Sequence, residues 1–158
     1  MRRIMAVVLV GMLLCGCGLR PEAKPQEKQK VKQASQAETD FMEVAVALLK
    51  KGEALAAIHA LDEAIKRDPG NVQAYVLLGQ TYMHMNQIDQ AVDSFRAALR
   101  YAPDQGEIYY MLALTNGLRG RKDLAVSNAE KALLLFQKDK DGENFKRALV
   151  LLQGLSQE

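Results

Sequence analysis

Tyr75-Val76-Leu77-Leu78-Gly79-Gln80-Thr81-Tyr82 opens a stretch that continues through Ala91-Val92-Asp93-Ser94-Phe95-Arg96-Ala97-Ala98 and closes at Pro103. Large side chains at 75, 78, 82 and 95 recur at helical spacing, with small ones at 79, 91 and 98 between them. That pattern predicts two helices whose small residues let the backbones approach and whose large residues fill the space on either side of the crossing. Asn86 suits the left-handed residue that closes a helix, and Pro103 stops the second helix before a third begins.

The same letters return at intervals of 34 residues in both directions. Phe41, Tyr75 and Tyr109 keep that spacing; so do Ala57, Ala91 and Ala125, and again Ala64, Ala98 and Ala132. Gly52, Asn86 and Gly120 fall at the turns, and Pro69 and Pro103 at the ends, with Gln137 in the third slot. Tyr75-x-x-Leu78-Gly79-x-x-Tyr82, then Ala91-x-x-x-Phe95, Ala98 and Pro103, resembles the tetratricopeptide repeat, with an aromatic in place of the opening Trp.

The resemblance implies an all-α, right-handed solenoid of three helix pairs over 37–139, with repeats at 38–71, 72–105 and 106–139. Helices are expected near 37–50, 54–67, 72–85, 88–101, 106–118 and 122–136. The third copy departs from the pattern at Asn116, Ala129 and Gln137, so looser packing is expected there. Residues 140–158 leave the repeat but keep helical periodicity. Phe145, Ala148, Leu149, Leu152 and Leu155 are expected on a buried face, with Glu143, Lys146, Arg147 and Gln153 opposite. A solenoid needs such an end to cover its last apolar face, so a capping helix is expected; a detachable partner-binding helix is the rival.

With 158 residues, 49% hydrophobic and 25% charged, the chain has the size of one ordinary domain and enough apolar surface for a core. Collagen-like, fully disordered and disulfide-stapled classes are excluded. The balance of 21 basic against 19 acidic residues is too even for a nucleic-acid binder.

The amino terminus carries an address. Met1-Arg2-Arg3 precedes the apolar run Ile4–Leu14, too short to span a bilayer comfortably but the pattern of an export signal. Leu14-Cys15-Gly16-Cys17 resembles the bacterial lipobox, with Cys17 in frame. The resemblance implies a signal peptide over 1–16, cleavage after Gly16 and lipidation of Cys17; an uncleaved helix or a plain secretory signal is the alternative. Loss of Arg2 and Arg3 would leave the mature surface without net charge. Residues 17–36 are rich in Lys, Gln and Pro and read as a flexible linker, or as a helix running back from residue 41. Ser35-Gln36-Ala37-Glu38 has the form of a capping box, which favours a helix start there.

Catalytic chemistry is missing. His59 and His84 are the two histidines, and no metal-ligand spacing, phosphate loop, dinucleotide fingerprint or nucleophile elbow occurs. No enzyme activity, cofactor or metal is expected.

In tetratricopeptide proteins the first helices line a concave groove where partners lie. Carried onto this chain, its lining is Thr39, Met42, Val46, Leu49 and Lys50; then Gln73, Val76, Gln80, Met83 and His84; then Glu107, Tyr110, Leu114, Gly117 and Leu118. The places where some relatives clamp a terminal carboxylate hold Met42, Val46, Val76, Tyr110 and Leu114, which disfavours that activity. An apolar, Met-containing strip suits an amphipathic helix or hydrophobic peptide. Alternatively, these residues pack between first helices or seal a homodimer.

The expectation is therefore a lipid-anchored scaffold on the periplasmic face of a bacterial envelope, at the outer membrane by the absence of Asp after Cys17. Lipobox, spacer and repeats together resemble pilotin-type lipoproteins of type IV pilus and secretion systems and lipoproteins of outer-membrane protein assembly. An adaptor for periplasmic cell-wall enzymes and a carrier of hydrophobic ligands remain open.

Overall fold

The computed structural model of the protein describes residues 41–157. Cys17, the signal and linker, the capping box and Thr39 lie outside the described residues. Within them the chain is all helix and turn. It runs α1 (41–50), α2 (Ala54–Arg67), α3 (Val72–His84), α4 (Ile88–Tyr101), α5 (Gly106–Leu118), α6 (Lys122–Lys138) and α7 (Gly142–Gln157). This is an all-α helical repeat, as the 34-residue phasing predicts.

Two kinds of turn alternate, and the residues explain both. Within each pair the chain reverses through one left-handed residue: Gly52 at φ 77°, Asn86 at 57° and Gly120 at 71°. The N–H three positions past the helix end then reaches back to a carbonyl of the last turn. Glu53 donates to Leu48 (2.9 Å), Gln87 to Tyr82 (2.8 Å) and Arg121 to Asn116 (2.9 Å). Between pairs, α2 stops at Arg67 and α4 at Tyr101, two residues short of Pro69 and Pro103, whose rings forbid a helical residue before them. Asn71 then caps α3 by accepting the Ala74 N–H at 3.0 Å.

The third pair ends differently. Gln137 stands where the other two pairs have Pro, so α6 continues to Lys138 and closes on Lys140, itself left-handed at φ 58°. Asp141 N–H donates to the Phe136 carbonyl at 2.9 Å, the bond that otherwise joins the two helices of one pair. Removal of one proline has converted a between-pair connection into a within-pair one. Helix α7 accordingly folds back along α6 and reaches α5.

Packing follows the small-against-large logic. Leu61, Val92, Phe95 and Ile108 are among the fully buried side chains, alongside fully buried alanines at 45, 57, 64, 91, 98, 113, 125, 129 and 132. The repeated aromatics are each held from the second helix of their pair. Arg67 lies over the Phe41 ring at 4.2 Å, Tyr101 stacks on Tyr75 at 6.0 Å, and Lys131 lies 6.0 Å from the Tyr109 centroid. Burial, with Asp62 adding to it, pushes the Tyr82 phenol up, consistent with its place between the first and second apolar clusters.

The looser packing expected of the third pair is not seen, since Ala113, Ala125, Ala129 and Ala132 are fully buried there; the departure is a polar one. Asn116 is buried, its amide donates to the Leu112 carbonyl at 2.7 Å, and its Oδ1 has no partner. The helical end also differs from expectation. Of α7 only Ala148 is fully buried, Phe145, Leu152 and Leu155 are partly so, and Leu149 lies 38% exposed rather than on the inner face. Leu149 sits about 100° around the helix from Ala148, so a wheel drawn from periodicity alone places it on the boundary.

Candidate interaction surface

First helices α1, α3 and α5 share the groove-lining register, and the structure distributes the expected residues unevenly along it. Met42, Val46, Leu49, Val76, Gln80, Met83, Tyr110 and Leu114 are all half-buried, while His84 and Leu118 are exposed, Leu118 to 68%. None is sunk in the core, which is the condition for touching both the fold and a partner.

Met42, Val46 and Lys50 line one shallow recess of about 380 Å³, completed by Glu43 and Ala47. Leu49 and His84 line a second, of about 340 Å³, between the α1–α2 turn and the end of α3, together with Gly52, Ala54, Thr81 and Met85. Small residues at 52 and 54 open this space; one repeat on, Asn86 and Ile88 stand in their places. Val76 and Met83 pack with Met111 against the second apolar cluster.

Tyr110 belongs elsewhere. It packs in the third cluster with Phe145 and Ala148, and the Arg147 guanidinium lies 4.8 Å from its ring centroid. Arg147 also approaches Glu107 at 3.9 Å, and Leu155 rests against Gly117, where an added Cβ would come within 3.3 Å of its Cδ2. Three of the five positions expected to line the third repeat's groove are thus taken by α7. The anticipated strip is interrupted there by α7; Leu114 and Leu118 stay accessible on α5, and its unobstructed part is the α1–α3 half. Sequence reasoning missed Arg147, Thr81, Met85 and Met111. Thr81, Met85 and Met111 sit beside expected positions, whereas Arg147 lies outside the repeat and had no signal.

Electrostatics adds little chemistry. Glu63 and Lys66 pair at 2.7 Å on the surface, where the hydrogen bond holds the carboxyl low and the amine high. Arg119 reaches Asp89 at 2.6 Å, tying the end of α5 to the start of α4. Among the described residues no three His, Cys, Asp or Glu side chains come together as a metal site, and no helix is long and apolar enough to cross a membrane.

Comparison with known proteins places this geometry. Two tetratricopeptide repeat models match, one over residues 48–115 and one over 106–139. A 77-residue stretch is 32% identical to the cell division cycle protein 27 homolog of Caenorhabditis elegans, covering 49% of this chain and 10% of that protein. The chain spans only a small part of the length of the curated relatives it matches. The type III secretion translocator chaperone SycD of Yersinia enterocolitica has a similar fold, with a TM-score of 0.72 at 18% identity over 77% of this chain and 85% of that one. The same chaperone with a peptide of the translocator YopD gives a TM-score of 0.68 at 16% identity, covering 77% and 93%. The repeated helix pairs, their left-handed turns and these matches make the chain a member of the tetratricopeptide repeat family.

Proposed function

We propose that the protein is a non-enzymatic scaffold, lipid-anchored through Cys17 on the periplasmic face of a bacterial envelope. It binds an amphipathic helix of a partner protein along α1 and α3 during assembly of an envelope complex such as a pilus or secretion system. The observation that carries the binding half is the run of half-buried, mostly apolar side chains Met42, Val46, Leu49, Val76 and Met83, with two recesses at its edge. A solved relative in fold, SycD, holds a translocator peptide, which supports a peptide-binding role for the same architecture. The recesses suit apolar anchor residues of such a helix. The anchoring half rests on the Leu14-Cys15-Gly16-Cys17 pattern.

A photo-reactive residue at Val46 or Val76 tests the binding half in cells, with Arg96, an exposed residue of α4, as control. Crosslinks to one envelope protein from 46 and 76 but not from 96 support the groove. Equal capture from all three overturns it. Metabolic labelling with a clickable palmitate tests the anchor, since Cys17→Ala must abolish incorporation while Cys15→Ala leaves it.

A further inference from the structure

We propose that the recess between the α1–α2 turn and the end of α3 is an anchor site for one aliphatic side chain of a partner segment with acidic residues beside that anchor. The inference rests on the groove function proposed above and names the chemistry of its occupant. The junction between the first and second helix pairs differs from the one that follows it. At the second junction Arg119, just past α5, pairs with Asp89, at the start of α4, at 2.6 Å, and Asn86 and Ile88 stand in the turn. At the first junction, 34 residues earlier, Met85 and Leu55 hold the places of that ion pair, and Gly52 and Ala54 those of Asn86 and Ile88. Two apolar side chains replace the charges, and two of the smallest residues replace larger ones. An open recess of about 340 Å³ lies there, and Leu55, next to Ala54 in its lining, is 66% exposed. Such a volume is at the small end of the roughly 300–1,000 Å³ of ligand sites, room for one large side chain.

The lining selects the occupant. Thr81 donates its hydroxyl to the Leu77 carbonyl at 2.7 Å, and the Gly52 N–H donates to the Leu49 carbonyl at 3.0 Å. The Met85 N–H donates to the Thr81 carbonyl at 3.1 Å. With these donors engaged, Leu49, Ala54 and the Met85 thioether offer apolar, adaptable surface, and the His84 imidazole is the one titratable group among the described lining residues. A polar head entering the recess would shed water for few partners, whereas an aliphatic one sheds it at a gain. The approaches to the recess are basic. Lys50 follows Leu49 in the chain and lines the neighbouring recess, Lys51 precedes Gly52, and both lysines and His84 are exposed. Glu53 is the one acid of the turn over 50–53. Carboxylates beside the anchor therefore meet opposite charge, and lysines there would meet like charge.

Methyl NMR of the full chain in zwitterionic detergent reads the site directly, with three capped tripeptides as probes. Acetyl-Glu-Leu-Glu-amide should move the Ala54 and Met85 methyl signals saturably, and acetyl-Glu-Ala-Glu-amide should not. Acetyl-Lys-Leu-Lys-amide should bind about two- to tenfold more weakly than its acidic counterpart. Ala54→Leu fills the recess from a half-buried position at the start of α2. It should lower the affinity read at Met85 by about tenfold or more, the worth of burying one leucine side chain, with an unchanged thermal melt. Lys50→Glu, at an exposed site, should narrow the preference for acidic flanks. Signals indifferent to the acidic leucine peptide, or moved equally in Ala54→Leu, overturn the anchor site and leave the groove function standing. Equal binding of the lysine peptide overturns the charge preference. Absence of crosslinks from Val46 and Val76 is the separate result that overturns the groove itself.

Discussion

The second and third helix pairs use the same positions with different volumes. In the second, Gly79 lies directly beneath Phe95, whose ring carbon would come within 2.6 Å of any Cβ placed there. In the third, the corresponding places hold Ala113 and Ala129, both buried, and the aromatic bulk has moved to Phe136 over Gly106, where a Cβ would meet the ring at 2.8 Å. Each glycine answers a phenylalanine, one at the middle of the crossing and one at its open end. The third pair therefore closes at its foot and leaves Asn116 buried with an unpaired oxygen where the first has Leu48 and the second Tyr82. A repeat preserves the places where helices meet; the volume placed there is negotiated pair by pair.

Breaking the contrast starts with the buried ring of the second pair. Phe95→Ala should cost about 3–5 kcal/mol, because the fully buried ring fills the central crossing and the rigid backbone around Gly79 cannot collapse into the cavity. Urea denaturation measures it, and a loss below about 1 kcal/mol would show that the crossing repacks. Next comes the glycine beneath it. Gly79→Ala should destabilise by about 1–3 kcal/mol despite alanine's better helix propensity, since the Phe95 ring has nowhere to go. Gly117→Ala is the control. Its added Cβ meets the flexible end of Leu155 at 3.3 Å and Ala125 at an ordinary 4.0 Å, so a neutral result or a gain of up to about 1 kcal/mol is expected in thermal melts.

A gain should follow from Asn116→Leu, which removes the unpaired Oδ1 and puts the first repeat's residue at the equivalent place. The expected stabilisation is about 1–2 kcal/mol, and a loss would mean that the space around residue 116 is too small for Leu. The mildest change concerns pH. Asp141 caps α7, accepting the Asn144 N–H at 3.1 Å and its side-chain amide at 2.7 Å, and these bonds hold its carboxyl below the usual value. A lowered folded value means that the stabilisation is complete above the ordinary pKa of 3.8 and is lost as pH falls through the folded one. Helix α7 should fray in strong acid and be unaffected near neutrality, a dependence that Asp141→Asn flattens in circular-dichroism melts recorded on both sides of 3.8.

Most helix boundaries were legible because they rest on local chemistry. Pro69 and Pro103 end helices by sterics, and Gly52, Asn86 and Gly120 take the left-handed turn with few other residues able to do so. The groove was legible only in part. Met42, Val46, Leu49, Val76, Met83 and Tyr110 are all half-buried, but Tyr110 alone of them carries Arg147 over its ring, a neighbour that the repeat register does not contain. That contact joins residues 37 apart in the chain and depends on the direction in which α7 leaves the third pair.

The sequence alone determined the number of helix pairs, their turns and the small-to-large crossings, since each follows from a residue's own sterics or from spacing along one helix. Tertiary structure decided how far the groove extends and what α7 covers. Without proline at 137, α6 runs on through Lys138 and the axis of the next helix rotates with every added residue. Where that helix comes to rest is then set by packing against Tyr110, Gly117 and Ala132, contacts between elements distant in the chain that no local pattern encodes.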